Sequence, residues 1–269
     1  MKVSCLQENL SQALVEVSRF VPKRTTLPIL SNVHIATDGG YLALTASDME
    51  TRITRLVGAR IDQEGAVTVN AALLTNTVKA MLKERVDLSL DGDKLTIVCG
   101  GSAATQNTLP AVDYPPAPKV IDGETFQVDA KVLLQSIGRV AFVADAGDSR
   151  PVLTGVKWDV NQNGVTLAAA DGFRLSVDRV TVTRDRLDAP PLSFIVPAKV
   201  MKELARLLKK VEEPIAVTIM NAKNPAANIR GEFRIGHNTT LGFQLISGTY
   251  PNYDVLIPKN STTHVTVNA

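Results

Sequence analysis

Aromatic side chains are scarce in this sequence: one Trp, four Tyr and seven Phe, 4% of 269 residues. Its interior is therefore expected to be built from Val, Leu, Ile and Ala. Cysteine is scarcer still, with only Cys5 and Cys99, far apart in the chain. Two such thiols make neither a disulfide framework nor a thiolate metal site, and they fit a reducing, cytoplasmic compartment. No uninterrupted apolar stretch approaches the ~20 residues of a membrane span. The N-terminus also lacks the basic and then apolar order of a secretory signal. No membrane association is expected. A large excess of one charge is missing too: a net charge of +2 excludes the strongly basic class of nucleic-acid binders while leaving room for a local basic face.

Repetition is what the chain does have. "VTVNA" at 67–71 has relatives in "FQVDA" at 126–130 and "FIVPA" at 194–198, and it returns at 265–269. Each is a short alternating apolar segment followed by Asn70, Asp129 or Pro197, and the first three lead into a helical pattern. Asn and Asp cap the free amides of a first turn, and Pro suits the first helical position. With the looser "KVSCLQENLSQALVEV" at the start, the helices are expected at 7–20, 71–84, 130–143 and 198–210. Between them lie hairpins marked by "DGGY", "DGDK" and "NQNG". The units alternate in two flavours, "TLPILSNV" and "SRPVLTGV" opening one and "TLPAVDYPP" and "GTYPNYDVLIP" closing the other. One pair of units makes a domain, which predicts an α+β fold with domain one at 1–121 and domain two at 122–260. Residues 261–269 then read as a linker and the cut first strand of a third domain.

The fourth helix carries the strongest charge pattern. At 100° per residue, Lys199, Lys202, Arg206, Lys209 and Lys210 fall within roughly a third of its circumference. Val200, Met201, Leu204, Leu207, Leu208 and Val211 occupy the other side, and Glu203 alone interrupts the basic run. Lys79 and Lys83 give the second helix a weaker copy, and Lys131 and Arg139 stand off the apolar side of the third. The first helix, with Glu8 and Glu16 before Arg19, breaks the pattern. Such stripes hold phosphates without reading sequence, although a merely solvated face would look similar.

Catalytic patterns are absent. His34, His237 and His264 belong to no zinc-spaced or triad-like arrangement, and no Gly-rich loop cradles a phosphate. No metal or cofactor is expected. Asp48 in "TASDME" and Asp171 in "AAADGF" are repeat equivalents, which places them in different domains and favours turn duty over a catalytic pair. A hydrolase using Asp171 is the weaker alternative, and a repeat-built protein–protein scaffold is the other.

Taken in order, "RTTLPILSNV", "SRPVLTGV", "AAADGFRLSV" and "YPNYDVLIP" resemble the bacterial sliding clamp family, the beta subunit of replicative DNA polymerase III. The resemblance implies a DNA-clamp fold and a non-catalytic processivity factor. It implies a ring of two three-domain chains, joined head to tail, that slides on double-stranded DNA. A chain holding only the first two domains would be a monomer. Partners would be the replicative polymerase, the clamp loader and other proteins carrying a clamp-binding motif. The resemblance adds Arg24 and Arg150 as loop residues approaching the duplex, each equally readable as a turn arginine. It also implies a peptide-binding cleft lined by Leu153, Ala170, Gly172, Phe173, Arg174, Leu175, Pro251 and Leu256, which are otherwise readable as core and turn residues. Ala170 and Phe173 replace the hydroxyl and the polar ring common there, which makes the cleft more apolar.

Overall fold

The computed structural model describes residues 1–117, 123–147, 149–184, 191–220, 229–258 and 265–266. In the first half the elements run β1 (Lys2–Leu6), α1 (Gln7–Val17), β2 (Asn32–Asp38), β3 (Tyr41–Ser47), β4 (Thr51–Gly58), β5 (Arg60–Gln63), β6 (Ala66–Asn70), α2 (Ala71–Ala80), β7 (Arg85–Asp91), β8 (Lys94–Cys99) and β9 (Ser102–Pro110). The second half follows with β10 (Gly123–Val128), α3 (Ala130–Val140), β11 (Gly155–Asn161), β12 (Gly164–Ala170), β13 (Leu175–Val180), β14 (Val182–Arg184), β15 (Leu192–Pro197), α4 (Ala198–Leu208), β16 (Ile215–Met220), β17 (Arg230–Ile235) and β18 (Thr239–Gln244). Strand, helix, then a run of strands therefore recurs four times, as an α+β fold. The expected boundary at 121/122 lies outside the described residues, as does the proposed third-domain strand except Val265 and Thr266.

Local chemistry sets the helix starts. Asn70 Oδ1 accepts from the Leu73 amide at 3.0 Å, and Asp129 Oδ1 accepts from the Val132 amide at 2.9 Å. Pro197 differs from expectation: it is the last residue of β15 and the residue before the first helical turn, and it gives no side-chain cap. Each helix also ends sooner than its periodicity suggests. α2 stops at Ala80 and α4 at Leu208, which leaves Lys83, Lys209 and Lys210 on the segments that follow. The hairpin turns at Gly39, Gly40 and Gly92 hold positive φ, as their sequences require.

Among the described residues all strand pairs are antiparallel, and one pair joins the halves. β18 lies beside β4, from Thr239 opposite Arg55 to Phe243 opposite Thr51, so a ladder of fourteen strands crosses the seam. The remaining strands form a separate sheet in the order β13-β12-β11-β15. The helices pack in pairs, α1 on α2 and α3 on α4, over the buried faces of these sheets.

The core of the first half is aliphatic as expected, with Phe20 as its one buried Phe. The second half corrects that expectation. Trp158 stacks on Phe194 with centroids 5.7 Å apart and lies 6.0 Å from Phe233, which stacks on Phe243 at 4.7 Å. Few aromatics thus means concentrated aromatics, where a few large side chains fill one interior.

Candidate functional site

The apolar side of α4 is buried through Val200, Met201, Leu204 and Leu208, which turns Lys202 and Arg206 to the surface. A recess of 1110 Å³ lies between α1, the end of α2 and the end of α4. Lys79, Lys83, Arg206, Lys209 and Lys210 all line it, so basic side chains from both halves converge on one surface. Arg19 and Arg55 join them, which the helical periodicity did not point to.

Acidic side chains share this recess and partly neutralise it. Lys83 pairs with Glu8 at 2.9 Å, an interaction that raises the lysine pKa. Arg206 bonds Glu203, which also lies 3.8 Å from Arg19, and Arg55 lies 2.9 Å from Glu16. Of the carboxylates that break the pattern on the first helix, Glu8 is the partner of Lys83, a cation of the pattern, and Glu16 is the partner of Arg55. The remaining basic residues of the stripes and loops do not themselves line this recess. Lys131 reaches Glu212 at 3.3 Å, Arg139 reaches Asp178 at 3.2 Å, and Arg24 and Lys202 stand exposed.

Lys199, the first cation of the basic stripe, meets carboxylates of the other half. Its Nζ lies 2.7 Å from Glu50 and 3.6 Å from Asp48, across the seam. Burial opposes its charge, but the hydrogen bond to Glu50 and the nearby Asp48 and Glu50 charges outweigh it, so its pKa is raised. The first turn of α4 thus fastens the second half to the β3–β4 turn of the first. Arg150 also departs from a free loop arginine. It donates to the Asp171 carbonyl at 2.7 Å and pairs with Asp145 at 3.3 Å, so it buttresses the turn after β12.

That turn adjoins a small apolar cluster of Leu153, Ala168, Ile195, Tyr250 and Tyr253, with Val152, Leu175, Val177 and Ile246 packed around it. Asp171 Oδ1 accepts from the Phe173 amide at 2.9 Å and the Arg174 amide at 2.7 Å, and Oδ2 accepts from Arg174 Nε at 2.9 Å. Bonds from these two backbone amides, then from the Arg174 side chain, bring its pKa down to about 2. A carboxylate so committed holds a turn and is a poor proton acceptor. Gly172 has φ 90°, and an added Cβ would lie 2.5 Å from Arg150 Nη1, so the glycine is needed for its conformation and for the close approach of Arg150. Phe173 is 98% exposed, and Pro251 and Leu256 stand exposed on the segment after β18.

Two tyrosines of that segment, which the resemblance did not single out, hold it in place. Tyr250 Oη accepts from the Ala170 amide at 2.9 Å. Tyr253 Oη donates to Asp159 at 3.3 Å, beneath Lys157 Nζ at 5.3 Å from its ring centroid. Burial and then the Asp159 charge push the Tyr253 hydroxyl up to about 12. The sequence signal was "YPNY", an aromatic pair in a chain poor in aromatics. Of the residues expected to line the cleft, Leu153 and Leu175 belong to the cluster. Ala170, Gly172, Phe173 and Arg174 form its adjoining turn, and Pro251 and Leu256 ride on the pinned segment.

Comparison with known proteins accords with this geometry. The family described as DNA polymerase III beta subunit, N-terminal domain, matches residues 1–118, and the central domain of the same subunit matches 127–252. The beta sliding clamp of Streptomyces coelicolor is 30% identical over 258 residues, covering 96% of this chain and 67% of that protein. That of Synechococcus elongatus is 30% identical over 272 residues, covering 100% and 70%. Among solved structures, a Pseudomonas aeruginosa sliding clamp bound to griselimycin superimposes with a TM-score of 0.88 at 28% identity, over 97% of this chain and 69% of that one. The Bacillus subtilis clamp gives 0.86 at 25% identity, over 97% and 68%.

Proposed function

Since the chain belongs to the DNA polymerase III beta subunit family, the beta sliding clamps, we propose that it tethers the replicative polymerase to duplex DNA as a processivity factor. The observation that carries this reading is the convergence of Lys79, Lys83, Arg206, Lys209 and Lys210, from opposite sides of the domain seam, on one recess. Such a surface contacts the phosphate backbone and leaves the bases unread, which lets it hold DNA and still slide. Arg24, Lys131, Arg139 and Lys202 extend the electrostatic attraction beyond the recess, and Arg150 acts mainly on the cleft turn. The protein works in the cytoplasm and performs no chemical step itself; the head-to-tail ring belongs to three-domain chains of the family, and these two domains alone are monomeric.

The cleft on domain two recruits the polymerase, the clamp loader and other motif-bearing proteins. A short segment buries apolar anchors against Leu153 and Leu175, beside the turn of Ala170, Gly172, Phe173 and Arg174 and the segment carrying Pro251 and Leu256. Griselimycin, bound by the Pseudomonas aeruginosa and Bartonella birtlesii clamps, serves as a probe of it.

The test is a salt titration of duplex binding. Affinity falls steeply with salt and is the same for unrelated sequences. Neutralising Arg206, Lys209 and Lys210 together lowers the slope of log K against log salt by about 0.9 for each phosphate that no longer has a cation beside it. Neutralising Arg60, Arg85 and Lys94 leaves it unchanged. Equal effects from the two triple variants would reject the recess as the DNA surface. Salt-insensitive absence of binding would leave a protein–protein scaffold as the better reading.

A further inference from the structure

The turn that shapes the cleft recurs in domain one, where it borders a different pocket. Asp48 Oδ1 accepts from the Glu50 amide at 3.1 Å and the Thr51 amide at 2.6 Å, as Asp171 does from Phe173 and Arg174. Met49 has φ 78° where Gly172 has 90°. A side chain rarely takes that conformation, and the bracing bonds on either side impose it. Tyr114, followed by Pro115, sets its hydroxyl against the Ser47 amide without completing a full hydrogen bond. Tyr250, followed by Pro251, completes the same interaction with Ala170.

In domain one this turn faces domain two. Between it, β4 and the β17–β18 hairpin lies a pocket of about 260 Å³. Met49 and Pro115 give it apolar walls above the buried Met220 and Phe243, and Arg52 and Arg230 bring two guanidinium groups to it, one from each domain. Arg52 donates to the Pro116 carbonyl at 3.0 Å and lies 5.8 Å from the centroid of the Tyr114 ring. Burial lowers its pKa, Tyr114 opposes this, and the neighbouring Arg230 charge lowers it further, which marks the two cations as mutually repulsive. Glu232, also in the wall, is engaged by Arg234 at 3.4 Å. Among the described residues neither Arg52 nor Arg230 is paired with a carboxylate. Two adjacent cations beside apolar walls are complementary to an anion that carries an apolar group.

We propose that this seam pocket is a second peptide-binding site, taking a short segment whose apolar side chain packs against Met49 and Pro115 and whose carboxylate bridges Arg52 and Arg230. The volume admits one or two side chains, so the occupant is a linear segment and not a folded surface. The inference stands apart from the cleft on domain two, since it uses none of that cleft's residues.

The probe is the acetylated, amidated tripeptide Ala-Leu-Asp, titrated into isotope-labelled protein and followed by amide shifts. Shifts are expected at Met49, Gly231 and Gly242, with affinity at least about tenfold above that of the Ala-Leu-Asn tripeptide. Arg230→Gln removes these shifts and leaves any at Leu175 unaffected. Gly242→Leu provides a second variant, because a Cβ there meets only the Arg52 carbonyl, at 3.9 Å, and the larger side chain fills the pocket with the fold kept. Shifts confined to residues 170–175 and 250–256, equal affinity for the two tripeptides, or binding that survives Gly242→Leu would each overturn the proposal. Shifts at the seam without any at Leu175 would uphold it.

Discussion

Tyr250→Phe removes one oxygen and leaves the ring, which makes it a clean probe of how the cleft is held together. Tyr250 is 7% exposed, and its hydroxyl accepts from the Ala170 amide at 2.9 Å. If water reaches the freed amide the loss is about 1 kcal/mol, and it rises toward ~3 kcal/mol if the amide stays dry. A domain of this size loses about 4 °C of Tm per kcal/mol, so the domain-two transition falls by roughly 4–12 °C. The same bond ties the segment carrying Pro251 and Leu256 to the turn at Gly172. Its loss therefore also loosens the cleft before a ligand arrives, and griselimycin binding weakens about fivefold, or ~1 kcal/mol. Calorimetry gives the first number, a binding titration the second, and hydrogen exchange shows the Ala170 amide opening faster. A Tm within about 1 °C of the parent together with unchanged affinity would refute the reasoning, because water or a strand partner would then be replacing the hydroxyl at no cost.

Lys199→Met breaks the pairs to Glu50 and Asp48, and such half-exposed pairs contribute under about 1 kcal/mol. Duplex affinity should stay within about twofold, and a fall of ~0.9 in the salt slope would return Lys199 to the DNA surface. Tyr253 titrates near 12 when folded and near ~10 when unfolded, so its contribution to stability is complete below pH ~10 and is lost as pH rises toward 12. The buried Cys5, Tyr114 and Tyr250 are raised in the same direction, so Tyr253→Phe should shorten the alkaline limb of a plot of Tm against pH, and an unchanged limb would assign it to those groups. Leu175→Asp sets an unpaired carboxylate against the cleft cluster, costs about 1–3 kcal/mol, and should abolish griselimycin binding while the domain-two transition persists. Binding retained by a folded Leu175→Asp protein would place the ligand elsewhere.

Much of this protein is written in short stretches of chain. Asn70 and Asp129 cap their helices because a side chain needs only its own next three residues to do so. Asp48 and Asp171 shape their turns by the same reach, and the glycines of "DGGY" and "DGDK" turn the hairpins between neighbouring strands. Because these instructions are local and repeat in order, the α+β class, the helix positions and the resemblance to the clamp family could be read without a structure. Other features depend on groups brought together from afar. The β4–β18 pairing, the attachment of Lys199 to Glu50 and the bond from Ala170 to Tyr250 join residues separated by long stretches of chain. A lysine on a helix face looks the same in sequence whether phosphate or a carboxylate of another domain waits opposite it. Periodicity states which way a side chain points from its own helix, and only the packed chain supplies what it meets. That is why the stripe could be drawn from α4 alone, while its division into seam and recess appeared with the tertiary structure.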